Sequence, residues 1–279
     1  MLRNRQSRKA KKPTIVMLHG SGSSAAIFGI QTHMLAKDLS STYDLVYLDG
    51  PMLSGPGPGV LPLFADMPSY HRWISSANSN LSQAYRLAEL FEVARHIQEQ
   101  LEAQQVDPEQ VVAFLGFSQG ALVALALLGL RSAGQSAWTN LRFCVAIAGG
   151  TTGDAGQLDN IERLVGMLSS IVGRGDAKFP GFTVHAMGSQ DLWYADGQRL
   201  ASMCPEDRAQ KMTYREGHVV PRKRKDVSQL IDMISKVDHL GAHAGHAEQT
   251  TIMQSMPSLL NGADVTEGLA FLSSNGIQV

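Results

Sequence analysis

VVAFLGFSQG, residues 111–120, decides the fold of this chain. Val111 to Leu115 is an apolar run of strand length, suited to a strand covered on both faces. Beyond it, Ala121 to Leu130 carries the apolar face of a helix laid against that strand. Between the two, Gly116-Phe117-Ser118-Gln119-Gly120 fits G-x-S-x-G in the strand-to-helix setting that motif requires. A serine on so tight a turn takes a strained backbone, and side chains two positions away on either side would collide, so glycine stands at both. The turn lifts the hydroxyl above the sheet edge toward the helix N-terminus, where the Gln119 amide can donate to an oxyanion. Ser118 is the candidate nucleophile; a glycine-rich turn without chemistry is the competing reading.

Working outward, strand-like and helix-like stretches alternate. Pro13 to Leu18 reads as a strand, 25–38 as a helix, Tyr43 to Leu48 as a strand and 81–105 as a long helix. In Gly50 to Val60 (GPMLSGPGPGV), Gly and Pro leave no room for either element. Downstream, Phe143 to Ala148, Gly181 to Met187 and Lys211 to Tyr214 read as strands, and Pro221 opens a helix reaching about Val237. This alternation predicts an α/β architecture, a mostly parallel central sheet with helices on both faces. The chain divides into a disordered basic tail (1–12), one domain (13–237) and a helical extension packed on the core (238–279).

Composition narrows the function classes. At 279 residues with 44% hydrophobic and 18% charged residues, the chain can bury one sizeable core. A formal net charge of -1 gives no bulk field for nucleic acid or an anionic membrane. No apolar run reaches spanning length, so no transmembrane helix is expected. Two cysteines, Cys144 and Cys204, make no disulfide framework and fit a reducing, cytoplasmic setting. The basic run Met1 to Lys12 lacks the apolar region of a secretory signal and reads as a solvated tail, with a short transit or localisation signal as the alternative.

The elbow points to an α/β-hydrolase fold, which orders its triad as Ser, then Asp or Glu, then His. Asp191 in Gly188-Ser189-Gln190-Asp191 follows the strand ending at Met187, at the same sheet edge as the elbow. Asp196 reads as solvated, and Asp154 and Asp159 follow an earlier strand. His218 in Glu216-Gly217-His218-Val219-Val220-Pro221 sits between a strand and a helix, where it can take the serine proton while Asp191 holds its other nitrogen. His185, mid-strand, reads as an interior histidine. The second oxyanion donor is assigned to Ser21 in His19-Gly20-Ser21-Gly22, with Gly22 as alternative and His19 as structural. A phosphate loop is disfavoured there for want of G-x-x-x-x-G-K-[ST]. His239, His243 and His246 read as a solvated turn weakened by Gly241 and Gly245, and Arg222 to Lys225 as a solvated helix start. No metal and no cofactor are expected.

LHGSGSSAAIFGIQT from Leu18, LDGP from Leu48, GFSQGA from Gly116, GSQD from Gly188 and GHVVP from Gly217 together resemble the FSH family of fungal serine hydrolases, over roughly residues 13–235. The resemblance implies a small α/β-hydrolase with minimal cap, a Ser118–Asp191–His218 triad, and ester or thioester cleavage through an acyl-enzyme. Several members of that family accompany polyketide pathways, so it also implies a secondary-metabolite acyl substrate, free or on a synthase carrier domain. An acyltransferase or cyclase with a non-water acceptor is the alternative. The rim Pro51 to Asn80 would contribute Phe64, Tyr70 and Trp73 to an acyl pocket, with plain packing as the competing reading. The extension past the family end is open between capping the site, forming a homodimer and docking on the core.

Overall fold

A computed structural model describes residues 11–75, 83–132, 137–150, 158–159, 161–163, 165–166, 178–179 and 181–255, of which 83–87 and 245–255 by backbone alone. The expected tail up to residue 10, Asp154, the His246 side chain and the extension from 256 onward lie outside this description.

Six parallel strands form the sheet: β1 (Thr14–Leu18), β2 (Asp44–Leu48), β5 (Val111–Phe117), β6 (Phe143–Ile147), β7 (Phe182–Gly188) and β8 (Ala209–Tyr214), in the order β2-β1-β5-β6-β7-β8. The chain runs outward from β1 to β2, then crosses back to β5 and continues to the other edge. The connections leaving β1 and β5 therefore run in opposite directions, the kind of switch point at which ligands bind in open α/β sheets. β1 and β5 are buried along their whole length, as the apolar run at 111–115 predicts for strands covered on both faces.

Side chains alternate between two cores. Val16, Leu18 and Phe114 join the face covered by α3 (Gln83–Ala103), α4 (Gln119–Ser132) and α5 (Tyr194–Ser202). Ile15, Met17 and Leu115 join the other face, against α1 (Ala25–Gln31), α2 (His33–Leu39) and α6 (Arg224–Ser255). All but one residue of α4 is buried, because it crosses the centre of the sheet.

Three sequence expectations change. The helix expected over 25–38 is two helices, broken at Thr32, whose hydroxyl donates to the Phe28 carbonyl and meets the Tyr47 hydroxyl. The glycine- and proline-rich stretch holds a strand, β3 (Met52–Ser54), paired antiparallel with β4 (Tyr70–Arg72). The boundary expected at 237/238 falls inside α6. Gly241 does not break that helix, because the missing side chain lets it pack on Arg142, where an added Cβ would sit 3.1 Å from the Arg142 carbonyl oxygen and Cβ. Asp238 ties the same turn down, accepting from the Tyr43 hydroxyl at 2.7 Å and Arg142 Nε at 2.6 Å.

Candidate active site

Ser118 stands at the first bend after β5 with φ 54, a left-handed backbone that a side chain-bearing residue adopts at a cost. The flanking glycines are sterically required. A Cβ on Gly116 would lie 2.0 Å from the Gly120 carbonyl oxygen, and one on Gly120 would lie 2.2 Å from that of Leu18. The elbow is thus pressed onto the end of β1, where the next loop begins.

His218 brings its Nε2 to 3.0 Å from Ser118 Oγ, and its Nδ1 lies 2.8 Å from Asp191 Oδ2. The second carboxylate oxygen of Asp191 accepts from the Trp193 amide at 2.9 Å. Both oxygens of this buried carboxylate are therefore bonded, and its orientation is fixed. The imidazole lies between Phe117 and Trp193, with ring centroids 4.9 and 4.7 Å away. The Tyr214 hydroxyl donates to the Val219 carbonyl at 2.6 Å and pins the loop that carries the histidine. Burial first, and then the charge of Asp191, push the Tyr214 phenol well above its usual range, so it stays a donor.

Opposite this lies the loop after β1. The Gly22 amide donates to the His71 carbonyl at 2.8 Å, the Gly57 amide donates to the Gly22 carbonyl at 2.8 Å, and His71 and Ser23 bond further through their main chains. Hairpin β3–β4 thereby holds the loop by backbone contacts. Contact is so close that a Cβ on Gly22, at φ +70, would fall 2.1 Å from the Gly57 nitrogen. Because the Gly22 amide is taken, it is no longer an alternative oxyanion donor. The Ser21 and Gln119 amides have no hydrogen-bond partner among the described residues.

His19 is buried and neutral. Its Nε2 accepts from the Gly50 amide at 3.0 Å, so its Nδ1 carries the proton and donates to the Gly20 carbonyl at 2.7 Å. Burial pushes its pKa down to about 4. His185 is likewise interior, pushed down to about 3 by burial, with Nε2 3.1 Å from the Thr183 hydroxyl.

Of the three aromatic rim residues, Trp73 follows the packing reading. Trp73 is 0% exposed and packs on His19, with its indole N–H on the His19 carbonyl at 2.8 Å, so it has no face left for a ligand. Phe64 is packed with Ile27 and Val60, and the Tyr70 hydroxyl donates to the Phe64 carbonyl at 2.6 Å. Missed altogether was the Gln119 side chain, which bonds the backbone of Trp73 and Ile74. No local pattern signals such a contact across 45 residues of sequence. Of the other carboxylates weighed, Asp159 pairs with Arg199 at 2.8 Å. His239 and His243 stack edge to face at 4.5 Å, and no cluster of metal-ligating residues occurs among the described residues. No helix among them is long and apolar enough to cross a membrane.

A parallel sheet with a serine elbow at its switch point, and an imidazole between that serine and a buried carboxylate, define the class: a serine hydrolase on the α/β-hydrolase fold. Residues 7–230 match the family described as Serine hydrolase (FSH1), and this chain belongs to that family. Thioesterase FSL2 of Gibberella zeae is 28% identical over 233 residues, covering 80% of this chain and 91% of its own length. The dihydromonacolin L-(lovastatin nonaketide synthase) thioesterase of Aspergillus terreus is 28% identical over 241 residues, again covering 80% and 91%. The crystal structure of Zea mays acyl-protein thioesterase 2 is similar in fold, with a TM-score of 0.51 at 16% identity over 83% of this chain and 96% of that one.

Proposed function

We propose that the chain cleaves a carboxylic ester or thioester of a polyketide-type acyl group through an acyl-enzyme on Ser118. The observation that carries this reading is the unbroken hydrogen-bond chain from Ser118 Oγ through His218 to Asp191. His218 Nε2 takes the proton as Ser118 attacks the acyl carbon, and Asp191 holds the imidazole in the required tautomer and stabilises the imidazolium. The Ser21 and Gln119 amides donate to the tetrahedral oxyanion. The leaving alcohol or thiol regains its proton from His218, and water repeats the cycle on the acyl-enzyme. The substrate class rests on the names of the relatives, among them a thioesterase of a nonaketide synthase. Residues of the hairpin rim, with Leu53 76% and Leu63 80% exposed, supply apolar surface for an acyl chain.

The test is intact-mass analysis after fluorophosphonate treatment, with Ser118→Ala alongside, followed by hydrolysis of p-nitrophenyl esters and acyl thioesters of graded length. One adduct on the parent and none on the variant supports the reading, and a preference for long acyl thioesters supports the substrate class. A folded parent that takes no label sinks the proposal.

A further inference from the structure

The two amides assigned to the oxyanion hole lie on separate loops, after β1 and after β5, and their spacing must be held to a fraction of an ångström for both to reach one oxygen. We infer that a chain of buried hydrogen bonds, running from the Gln119 side chain through Trp73 to His19, sets that spacing, and that these three act as positioning residues. The inference rests on the proposed oxyanion hole.

The chain of bonds begins on the residue that follows the nucleophile. The Trp73 amide donates to Gln119 Oε1 at 2.9 Å, and Gln119 Nε2 donates to the Ile74 carbonyl at 3.1 Å. The carboxamide thus acts as a two-point splint, holding the segment after β4 to the start of α4. Trp73 passes the constraint on through its indole N–H to the His19 carbonyl. His19 completes it by donating from Nδ1 to the Gly20 carbonyl. In a trans peptide the C=O of one residue and the N–H of the next point in opposite directions. Drawing the Gly20 carbonyl toward the imidazole therefore turns the Ser21 N–H the other way. Gly20 itself lies against the nucleophile, since a Cβ there would be 3.2 Å from Ser118 Cβ.

Gln119, Trp73 and His19 are each almost wholly buried. Buried polar bonds of this kind hold geometry firmly, because an opened bond has no water to replace it. Gln119 has a double part: its main chain supplies one donor, and its side chain reaches across to fix the loop that supplies the other.

The experiment separates those parts, since every substitution at 119 keeps the main-chain amide. Gln119→Met removes both side-chain bonds at similar volume. Gln119→Glu keeps the acceptor for Trp73 and loses the donor to Ile74. Trp73→Phe removes only the indole N–H. On a p-nitrophenyl ester, Gln119→Met and Trp73→Phe should each lower kcat about tenfold, a fraction of the loss for a whole oxyanion donor, with KM within about twofold. Affinity for a trifluoromethyl ketone should fall in parallel, Gln119→Glu should fall between parent and Gln119→Met, and the double variant should lose less than the product of the two single losses. Variants that melt lower but keep the parent's kcat and ketone affinity would overturn the inference and leave these bonds as packing. A parent that takes no fluorophosphonate and cleaves no ester would bring down the hydrolase reading and this inference together.

Discussion

The two halves of the site are built on different plans. On one side, Asp191 and His218 sit on loops that follow β7 and β8, held by the Trp193 amide and ring and the Tyr214 hydroxyl from the same stretch and by the Phe117 ring at the end of β5. On the other, the loop after β1 is held mainly by main-chain groups of a hairpin more than thirty residues away, against glycines that admit no side chain. The first half is expected to fail when a functional group is removed; the second is the half that is also sensitive to an added atom. On the proposed function, this division separates acid–base chemistry, which needs particular side chains, from oxyanion binding, which needs correctly placed N–H groups.

The largest effects should come from the side-chain half. Ser118→Ala and His218→Ala should each lower kcat by about 10⁴-fold or more, with the fold intact by circular dichroism. Asp191→Asn should cost roughly as much, because the amide favours the wrong imidazole tautomer; activity within tenfold of the parent would remove Asp191 from its assigned role.

The glycine half should respond to additions in order of the space available. Gly22→Ala meets the Gly57 backbone at 2.1 Å and should lower kcat by about 10²–10³ by displacing the Ser21 amide, with a fall in melting temperature. Gly20→Ala meets only side-chain atoms, of Phe117 at 3.1 Å and Ser118 at 3.2 Å, and should cost less. Equal activity in parent and Gly22→Ala would erase the contrast between the halves.

A smaller effect is expected at Tyr214→Phe. Loss of the bond to the Val219 carbonyl should destabilise the fold by about 1–2 kcal/mol in urea unfolding and slow turnover by less than tenfold. An unchanged stability would mean that the loop carrying His218 is held by other contacts.

How much of this was legible in the sequence follows the same division. Ser118, Asp191 and His218 each stand in a short local pattern beside a strand, and the strand runs could be read from their apolar character. The hairpin could not be read: Met52–Ser54 and Tyr70–Arg72 are three residues each and pair across a long connection. Short strands of that kind, with fifteen residues (55–69) between them, owe their existence to the partner and leave no periodicity. Trp73 misled for a related reason, since an aromatic near the rim gives no sign of whether its face is open or packed on His19. The continuous helix through residue 238 was hidden because Gly241 counts against a helix locally, and only its contact with Arg142 explains it.

The gentlest test addresses the buried histidines. His19 is pushed down to about 4 and His185 to about 3 from 6.5. Between about pH 6.5 and 4 the unfolded chain takes up protons that the folded chain does not, so stability should fall as pH falls. Each histidine contributes up to about 1.4 kcal/mol per pH unit. Urea unfolding at pH 7 and pH 5 checks this, and equal midpoints would show that both imidazoles can charge without unfolding the chain.

The bonds from the hairpin to the loop after β1 are made by the peptide backbone, which every residue but proline shares. Wherever no glycine is required, the outward side chains of the hairpin are therefore at liberty. Leu53, Leu61 and Leu63 are exposed, and exchange for larger, smaller or polar residues is expected to leave the amides beneath in place. On the proposed function, substrate preference can then change by drift or by library screening while the backbone contacts beneath stay as they are.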